Sequence, residues 1–129
     1  MSEALSWFSE WLLMLSIVAG LPFHLIGVAD AFGDWRAGRA QAAAPAIRRI
    51  ARRNLAIEGL LLWLHVGLMA PAWWFLLLPT APEQASVARA VLPAIAGTLA
   101  VMSWTLTVAT ALLARERLRI REDAGAGLL

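Results

Sequence analysis

The sequence predicts an all-helical polytopic membrane protein with three transmembrane helices and one basic amphipathic helix on the cytoplasmic side. Of its 129 residues, 60% are hydrophobic and only 16% are charged, and the mean hydropathy is +0.68. Soluble proteins contain roughly 45–50% apolar and about 25% charged residues. A soluble domain of this composition would expose a large apolar surface, which soluble monomers avoid. The few charges are also grouped, leaving three long windows without any.

These charge-free windows run from 11 to 29, from 59 to 82 and from 90 to 114. At a helical rise of ~1.5 Å per residue, each is ~28 Å or longer, which suits ~30 Å of hydrocarbon. We expect one membrane domain over 1–129, with spans at about 11–29, 59–79 and 91–114, a cytoplasmic loop at 30–58 and a cytoplasmic tail at 115–129. Residues 1–10 contain two glutamates and no Lys or Arg, so the first span is not expected to be a cleaved signal peptide.

The arginines predict the orientation of the spans. Ten of the 11 cations lie between spans one and two or after span three, and only Arg89 lies on the other side. By the positive-inside rule, the N-terminus faces outward and the C-terminus faces the cytoplasm, in a bacterial cytoplasmic membrane. Trp7, Trp11, Trp73 and Trp74 flank the outer ends of spans one and two, where indole rings favour the headgroup zone.

The segment from Ala42 to Glu58 is predicted to be the basic amphipathic helix. Pro45 suits a first helical turn, and no Gly or Pro follows until Gly59. At 100° per residue the arginines occupy one arc and the apolar residues the opposite one: Arg48, Arg49, Arg52 and Arg53 against Ile47, Ile50, Ala51 and Leu55. The helix either lies in the interface with its arginines on anionic headgroups, or continues into span two and presents them to an acidic partner. Nucleic acid is not the expected partner, because no aromatic or Gly-rich platform accompanies the arginines.

Small residues form a stripe on each of two spans. On span three the spacing alternates between four and three, as in a heptad, at Ala96, Ala100, Ser103, Thr107 and Thr110. On span one the matching face is Ser16, Gly20, His24 and Gly27, beside Pro22, which is expected to bend the helix. In lipid, small residues let helix backbones approach closely. These faces are therefore predicted to pack the three spans together, to join copies of the chain, or to line a wetted lumen.

Three titratable residues, two within the spans and Glu58 at the inner end of span two, are candidates for chemistry. His24 and His65 lie at similar depths on neighbouring spans and could ligate one haem b iron from both sides. Alternatively, His65 and Glu58 could form a protonatable cluster, or Glu58 a structural ion pair with an arginine, which we favour. Asp30 and Asp34 are expected to pair with arginines of the loop.

No enzyme motif is present, and catalysis is not expected. The chain has no Cys, Lys or Tyr, which removes thiolate nucleophiles, the P-loop lysine and Schiff-base chemistry. Neither a metal site nor a cofactor is predicted, haem b being the alternative already given.

The chain resembles small membrane proteins of tailed phages and, in its layout, the three-span holins. The residues that carry this resemblance are Ala29-Asp30-Ala31, Asp34-Trp35, the run from Arg48 to Asn54 with Glu58, and the closing Arg115, Arg117 and Arg119. The resemblance implies a self-associating protein that opens lesions in the cytoplasmic membrane. Two other interpretations stay open: a non-catalytic accessory subunit of a larger membrane complex, and a haem or quinone anchor.

Overall fold

The fold is all-helical, as predicted. A computed structural model describes residues 2–40, 44–77 and 82–127, with side chains at 8, 11, 12, 14–40, 44–70 and 94–127. It contains helices α1 (Ser2–Ala40), α2 (Pro45–Leu77) and α3 (Pro82–Gly125), and the described ranges contain no strand. The third helix ends in a turn in which Gly127 adopts the left-handed φ of 74°, a conformation that glycine adopts without strain.

Two of the helices are long and apolar enough to cross a membrane. Among the described residues, these stretches lie within Met14–Ala40 of α1 and Ala94–Gly125 of α3. Large apolar side chains also face outward on every helix, including Ile26, Trp63 and Trp104. The span predicted at 59–79 extends past the described side chains and stays a prediction. The positions of Trp7, Trp73 and Trp74 likewise lie outside the described side chains.

The helices continue through the segments expected to be loop and tail. The helix α1 runs past Asp30 to Ala40, and α3 runs past Arg115 to Gly125. The basic segment is the first part of α2 rather than a separate interfacial helix. The basic segment therefore continues as one helix toward the second predicted span, which is one of the two arrangements that the sequence left open. The reason is local, since Pro45 starts the helix and a single glycine at Gly59 is too weak to end it.

Each helix buries one heptad seam against the other two. On α1 this seam consists of Met14, Ile17, Gly20, His24, Gly27, Ala31, Asp34 and Gly38, all of them buried or half-buried. On α2 the seam includes Ala51, Asn54, Glu58, Leu61 and His65, and on α3 Ala96, Ala100, Ser103, Thr107, Thr110, Ala114 and Arg117. Alternating spacings of three and four keep such a seam facing its partners along the whole length of a bundle.

In this bundle α1 runs parallel to α3 and antiparallel to α2. Thus Gly20 faces Thr107 of α3 and His65 of α2, while Gly27 faces Thr110 and Glu58. We call the end where α1 ends, α2 begins and α3 ends the basic end, because ten of the 11 arginines belong to that half of the molecule. Beyond the histidines, away from the basic end, Met14 and Ile17 pack with Met69 and Leu99, and these four residues are named the apolar plug.

Candidate functional site: a buried polar column

Two fully buried histidines form the inner end of the candidate site. His24 of α1 and His65 of α2 are both 0% exposed, and their ring centroids lie 4.6 Å apart at an interplanar angle of 43°. The Nε2 atom of His65 donates a hydrogen bond of 2.7 Å to the carbonyl oxygen of Ile17. Since a carbonyl oxygen can only accept, neutral His65 carries its proton on Nε2 and leaves a lone pair on Nδ1.

Thr110 of α3 connects the histidines to a carboxylate. Its hydroxyl donates to Glu58 Oε2 at 3.3 Å and lies 2.8 Å from His24 Nδ1. With its one proton directed to Glu58, the hydroxyl accepts from His24, so neutral His24 carries its proton on Nδ1. The remaining nitrogens, His24 Nε2 and His65 Nδ1, have no hydrogen-bond partner in the described part of the chain. Each histidine therefore holds a free lone pair that could take a proton.

Glu58 forms the buried ion pair that the sequence favoured, and its partner is Arg117. The guanidinium donates from Nη1 to Glu58 Oε1 at 2.6 Å, and the two side chains are only 2% and 0% exposed. Burying two charges is costly unless they are paired and hydrogen-bonded, as these are. The Glu58 carboxylate thus contacts Thr110 and Arg117, and through Thr110 it is joined to His24 rather than directly to His65.

Arginines of α3 also bind the aspartates of α1 at the basic end. Asp30 lies 3.4 Å from Arg117 Nε and 2.9 Å from Arg121 Nη2, and Asp34 accepts from Arg121 Nε at 2.9 Å. The expectation that Asp30 and Asp34 pair with loop arginines is therefore wrong, because the parallel register of α1 and α3 brings the tail arginines beside them instead. The hydrogen bond from Arg121, helped by both guanidinium charges, holds the pKa of Asp30, just past the predicted span, below its ordinary value.

Together these groups form one buried polar column through the bundle. We use this name for His65, His24, Thr110, Glu58 and Arg117, together with Asp30, Arg121 and Asp34, which form its outermost part at the basic end. The apolar plug closes the opposite end, since Ile17 lies one turn beyond Gly20 and two turns beyond His24. Among the described residues, the column thus reaches exposed side chains at the basic end, whereas apolar side chains cover its opposite end.

Two glycines let the helices approach closely enough to build the column. A Cβ atom on Gly20 would lie 2.6 Å from His65 Cε1 and 3.0 Å from Thr107 Oγ1. One on Gly27 would lie 2.7 Å from Glu58 Oε2. Such separations are shorter than van der Waals contact, so each glycine makes room for a polar side chain of α2. This close approach is the physical reason why the predicted small-residue face of α1 has glycine at positions 20 and 27.

The other predicted site residues fall into two groups. Ala100, Ser103 and Thr110 are buried, and Ser16, Ala96 and Thr107 are half-buried, so both small-residue stripes make contacts within one chain. By contrast the four arginines of the basic segment, Arg48, Arg49, Arg52 and Arg53, are exposed. They do not touch the column and are free to meet headgroups or a partner.

Sequence reasoning missed Arg117 as the partner of Glu58. Arg117 follows Thr110 by seven residues, so extending the heptad stripe of α3 by one repeat would have placed it on the buried seam. Asn54 is also buried on the seam of α2, and its Oδ1 has no hydrogen-bond partner within the described ranges.

The geometry disfavours a haem between the histidines. A bis-histidine haem needs its macrocycle and two iron–nitrogen bonds of about 2 Å between the rings. Here the centroids of the two rings lie only 4.6 Å apart, and Gly20 is packed against His65 with no room for a Cβ. In the described part of the chain, no three His, Asp or Glu residues are grouped as metal ligands.

Replacing Thr110 by valine tests the central link of the column. Valine keeps the shape but leaves His24 Nδ1 buried without an acceptor, so we expect the free energy of unfolding to fall by about 1–3 kcal/mol. The measurement is an SDS titration of the purified protein in mixed micelles. Thr105→Val is the matched control, because Thr105 is exposed and bonds only the carbonyl of Val101 on its own helix. Equal losses in the two variants would show that the link contributes nothing.

The chain was compared with protein-family models, with curated proteins and with solved structures, and none of the three comparisons gave a match.

Proposed function

We propose that this chain is a small, non-catalytic integral membrane protein of the holin-like class, which makes the membrane permeable when its buried polar column becomes wet. In this proposal it has three spans in a bacterial cytoplasmic membrane, with the N-terminus outside and the basic end in the cytoplasm. The polar column is the observation that carries the proposal. Ionisable groups inside membrane helices are costly, and many of those known lie on ion or proton pathways.

The column has the chemistry of a closed water path. Its carboxylate, guanidinium, hydroxyl and imidazole groups satisfy one another while the bundle is packed, and water could replace those bonds if the helices separated. The free lone pairs of His24 and His65 would then be reachable from the cytoplasm.

The apolar plug supplies the barrier in this proposal. Met14, Ile17, Met69 and Leu99 separate the histidines from the outer side, and an apolar constriction blocks ions by excluding water. Along the polar column the axis of one bundle is filled by side chains, so a lesion wide enough for proteins would need several copies whose polar seams line a common lumen. The exposed arginines of α2 would meanwhile hold the basic end at anionic headgroups.

Inducible expression in a bacterium tests the proposal. Growth, membrane potential and the leakage of one periplasmic and one cytoplasmic reporter are followed after induction. We expect this protein to depolarise the membrane. The control is an unrelated three-span protein that accumulates in the membrane to the same level and leaves growth unaffected. Release of the cytoplasmic reporter would extend the lesion to the size of proteins, whereas depolarisation alone would restrict it to ions.

A pair of isoleucines on α1 provides the sharpest variants. Ile17 is 1% exposed within the plug, and Ile26 is 68% exposed on the outer surface of the same helix. Ile17→Ser is expected to hydrate the plug and bring depolarisation forward, and Ile26→Ser is expected to leave its onset unchanged. If wild type and Ile17→Ser both leave the potential intact, the permeability proposal is wrong.

An accessory subunit of a larger membrane complex is the second candidate. The exposed basic segment of α2 and the outward-facing Trp63 and Trp104, which are 72% and 61% exposed, favour it by offering surfaces to a partner. This candidate predicts harmless expression and a protein that is stable only with its partners. Affinity purification from the native membrane, with the four arginines of α2 replaced by glutamine as the comparison, would then identify what the basic segment binds.

A further inference from the structure

A cavity lies between all three helices at the basic end, next to the Glu58–Arg117 pair. Its volume is about 290 Å³, and it is bounded by α1 near Asp34, by α2 from Ile47 to Asn54 and by α3 from Arg117 to Ala124. That volume equals about ten water molecules at ~30 Å³ each, or a small head group with the first carbons of a chain. Neither the polar column nor the proposed permeability uses this space.

Three polar atoms of two buried residues at this cavity have no hydrogen-bond partner among the described residues. Asn54 is 4% exposed and its Oδ1 is one of them; Arg117 is 2% exposed and its Nε and Nη2 are the others. Because Arg117 Nε lies 3.4 Å from Asp30 in an ion pair, Asn54 Oδ1 and Arg117 Nη2 are the two atoms left without a polar partner. Both side chains line the cavity. Burying such atoms without partners is costly, and native proteins supply a partner for nearly all of them. A ligand that fits must therefore offer one acceptor to Arg117 and one donor to Asn54.

The surrounding charges favour an uncharged ligand. Arg117 and Arg121 are already neutralised by Glu58, Asp30 and Asp34. An anion would approach these carboxylates and the oxygen of Asn54, and a cation would approach two guanidinium groups. A hydroxyl group is uncharged and both donates and accepts, so it satisfies both orphaned atoms at once.

The remaining wall is apolar and lies at the depth expected of lipid head groups. Ile47 and Ile50 of α2 and Ile120 of α3 contribute it, and the α1 side of the cavity begins at Asp34, five residues past the predicted end of the first span at residue 29. We propose that this cavity binds the uncharged, hydroxyl-bearing head of a membrane amphiphile, of which a monoacylglycerol is the simplest. The proposal rests on the membrane location of the bundle and not on its permeability.

Photolabelling of the purified full chain in nanodiscs tests this site. The probe is a monoacylglycerol with a diazirine on the first carbons of its acyl chain, and labelled peptides are identified by mass spectrometry. We expect saturable labelling within residues 47–54 and 117–124. Unlabelled monooleoylglycerol should compete at least tenfold better than oleate or oleylamine, which have similar chains but charged heads.

Two alanines of α2 provide the filled-cavity variant and its control. Ala51 lines the cavity and Ala56 faces outward on the same helix. Ala51→Phe should reduce labelling at least tenfold while Ala56→Phe leaves it unchanged, with helix content checked by circular dichroism. Asn54→Leu, which removes the acceptor without filling the space as fully, should weaken competition by monooleoylglycerol.

The opposite results would overturn the proposal. Equal or better competition by oleate would make this a site for anions, and labelling that never saturates would show that the cavity holds only water. Neither readout depends on depolarisation, so the site and the permeability proposal can fail separately.

Discussion

Replacing Glu58 with leucine is expected to lower the free energy of unfolding by about 3–5 kcal/mol, because it leaves the guanidinium of Arg117 buried without its closest carboxylate. The side chains of this pair are 0% and 2% exposed, so water cannot take the place of the lost partner. Thr110 would lose its acceptor in the same step. The unfolding midpoint in an SDS titration of mixed micelles measures the change.

Two comparison variants separate the buried charge from a general effect of leucine. Glu116 pairs with Arg119 on the surface, with side chains 43% and 68% exposed, so Glu116→Leu is expected to cost far less than Glu58→Leu. The double variant Glu58→Leu with Arg117→Leu removes both buried charges and should recover most of the loss. A double variant as unstable as Glu58→Leu alone would mean that the unpaired guanidinium is not the cause.

Hydropathy and charge spacing were sufficient to predict the helical class and the position of two apolar segments, those of α1 and α3. They were not sufficient to predict where helices end, because a change from apolar to charged residues marks a membrane boundary and not a helix terminus. The stretch from Asp30 to Ala40 illustrates this difference. Its charges led to the prediction of a loop, but it contains no proline, and its glycines do not break the helix.

The composition of the site was predictable, but its pairing was not. His24, His65 and Glu58 could be named because polar residues are rare in apolar windows. Which arginine neutralises Glu58 depends on the register between α2 and α3, and several arginines lie at similar depths. The loop arginines were predicted as ion-pair partners of Asp30 because they are near it in sequence. In the structure its partners are Arg117 and Arg121, because α1 and α3 pack in parallel.

The small-residue stripes have a meaning in this bundle that the sequence left open. Packing within one chain, packing between copies and a wetted lumen all predict small residues on one face. Gly20 and Gly27 contact His65 and Glu58 of the same chain, so in the packed bundle these faces are already occupied. Association between copies through the same faces would require the helices to separate first, which links self-association to hydration of the polar column.

Substituting alanine for Gly20 is expected to destabilise the bundle, although alanine is the better helix former by about 1 kcal/mol. The new Cβ would lie 2.6 Å from Cε1 of His65. That ring cannot move aside easily, since it lies against the tilted ring of His24 and donates a hydrogen bond of 2.7 Å to the carbonyl oxygen of Ile17. Overpacking of this kind costs about 1–3 kcal/mol and would weaken the hydrogen bond as well.

Gly67 of α2 gives the matched control, because a Cβ there would meet nothing within 4 Å. Gly67→Ala gains the helix propensity without the overlap, so the SDS unfolding midpoint should rise for Gly67→Ala and fall for Gly20→Ala. Since both variants gain the same propensity, their free energies of unfolding should differ by the overpacking cost of about 1–3 kcal/mol. The same pair separates packing from permeability in cells. If water enters the column when α1 and α2 part, Gly20→Ala should advance depolarisation, and Gly67→Ala should delay it or leave it unchanged. A Gly20→Ala variant as stable as Gly67→Ala would contradict the close approach of these two helices.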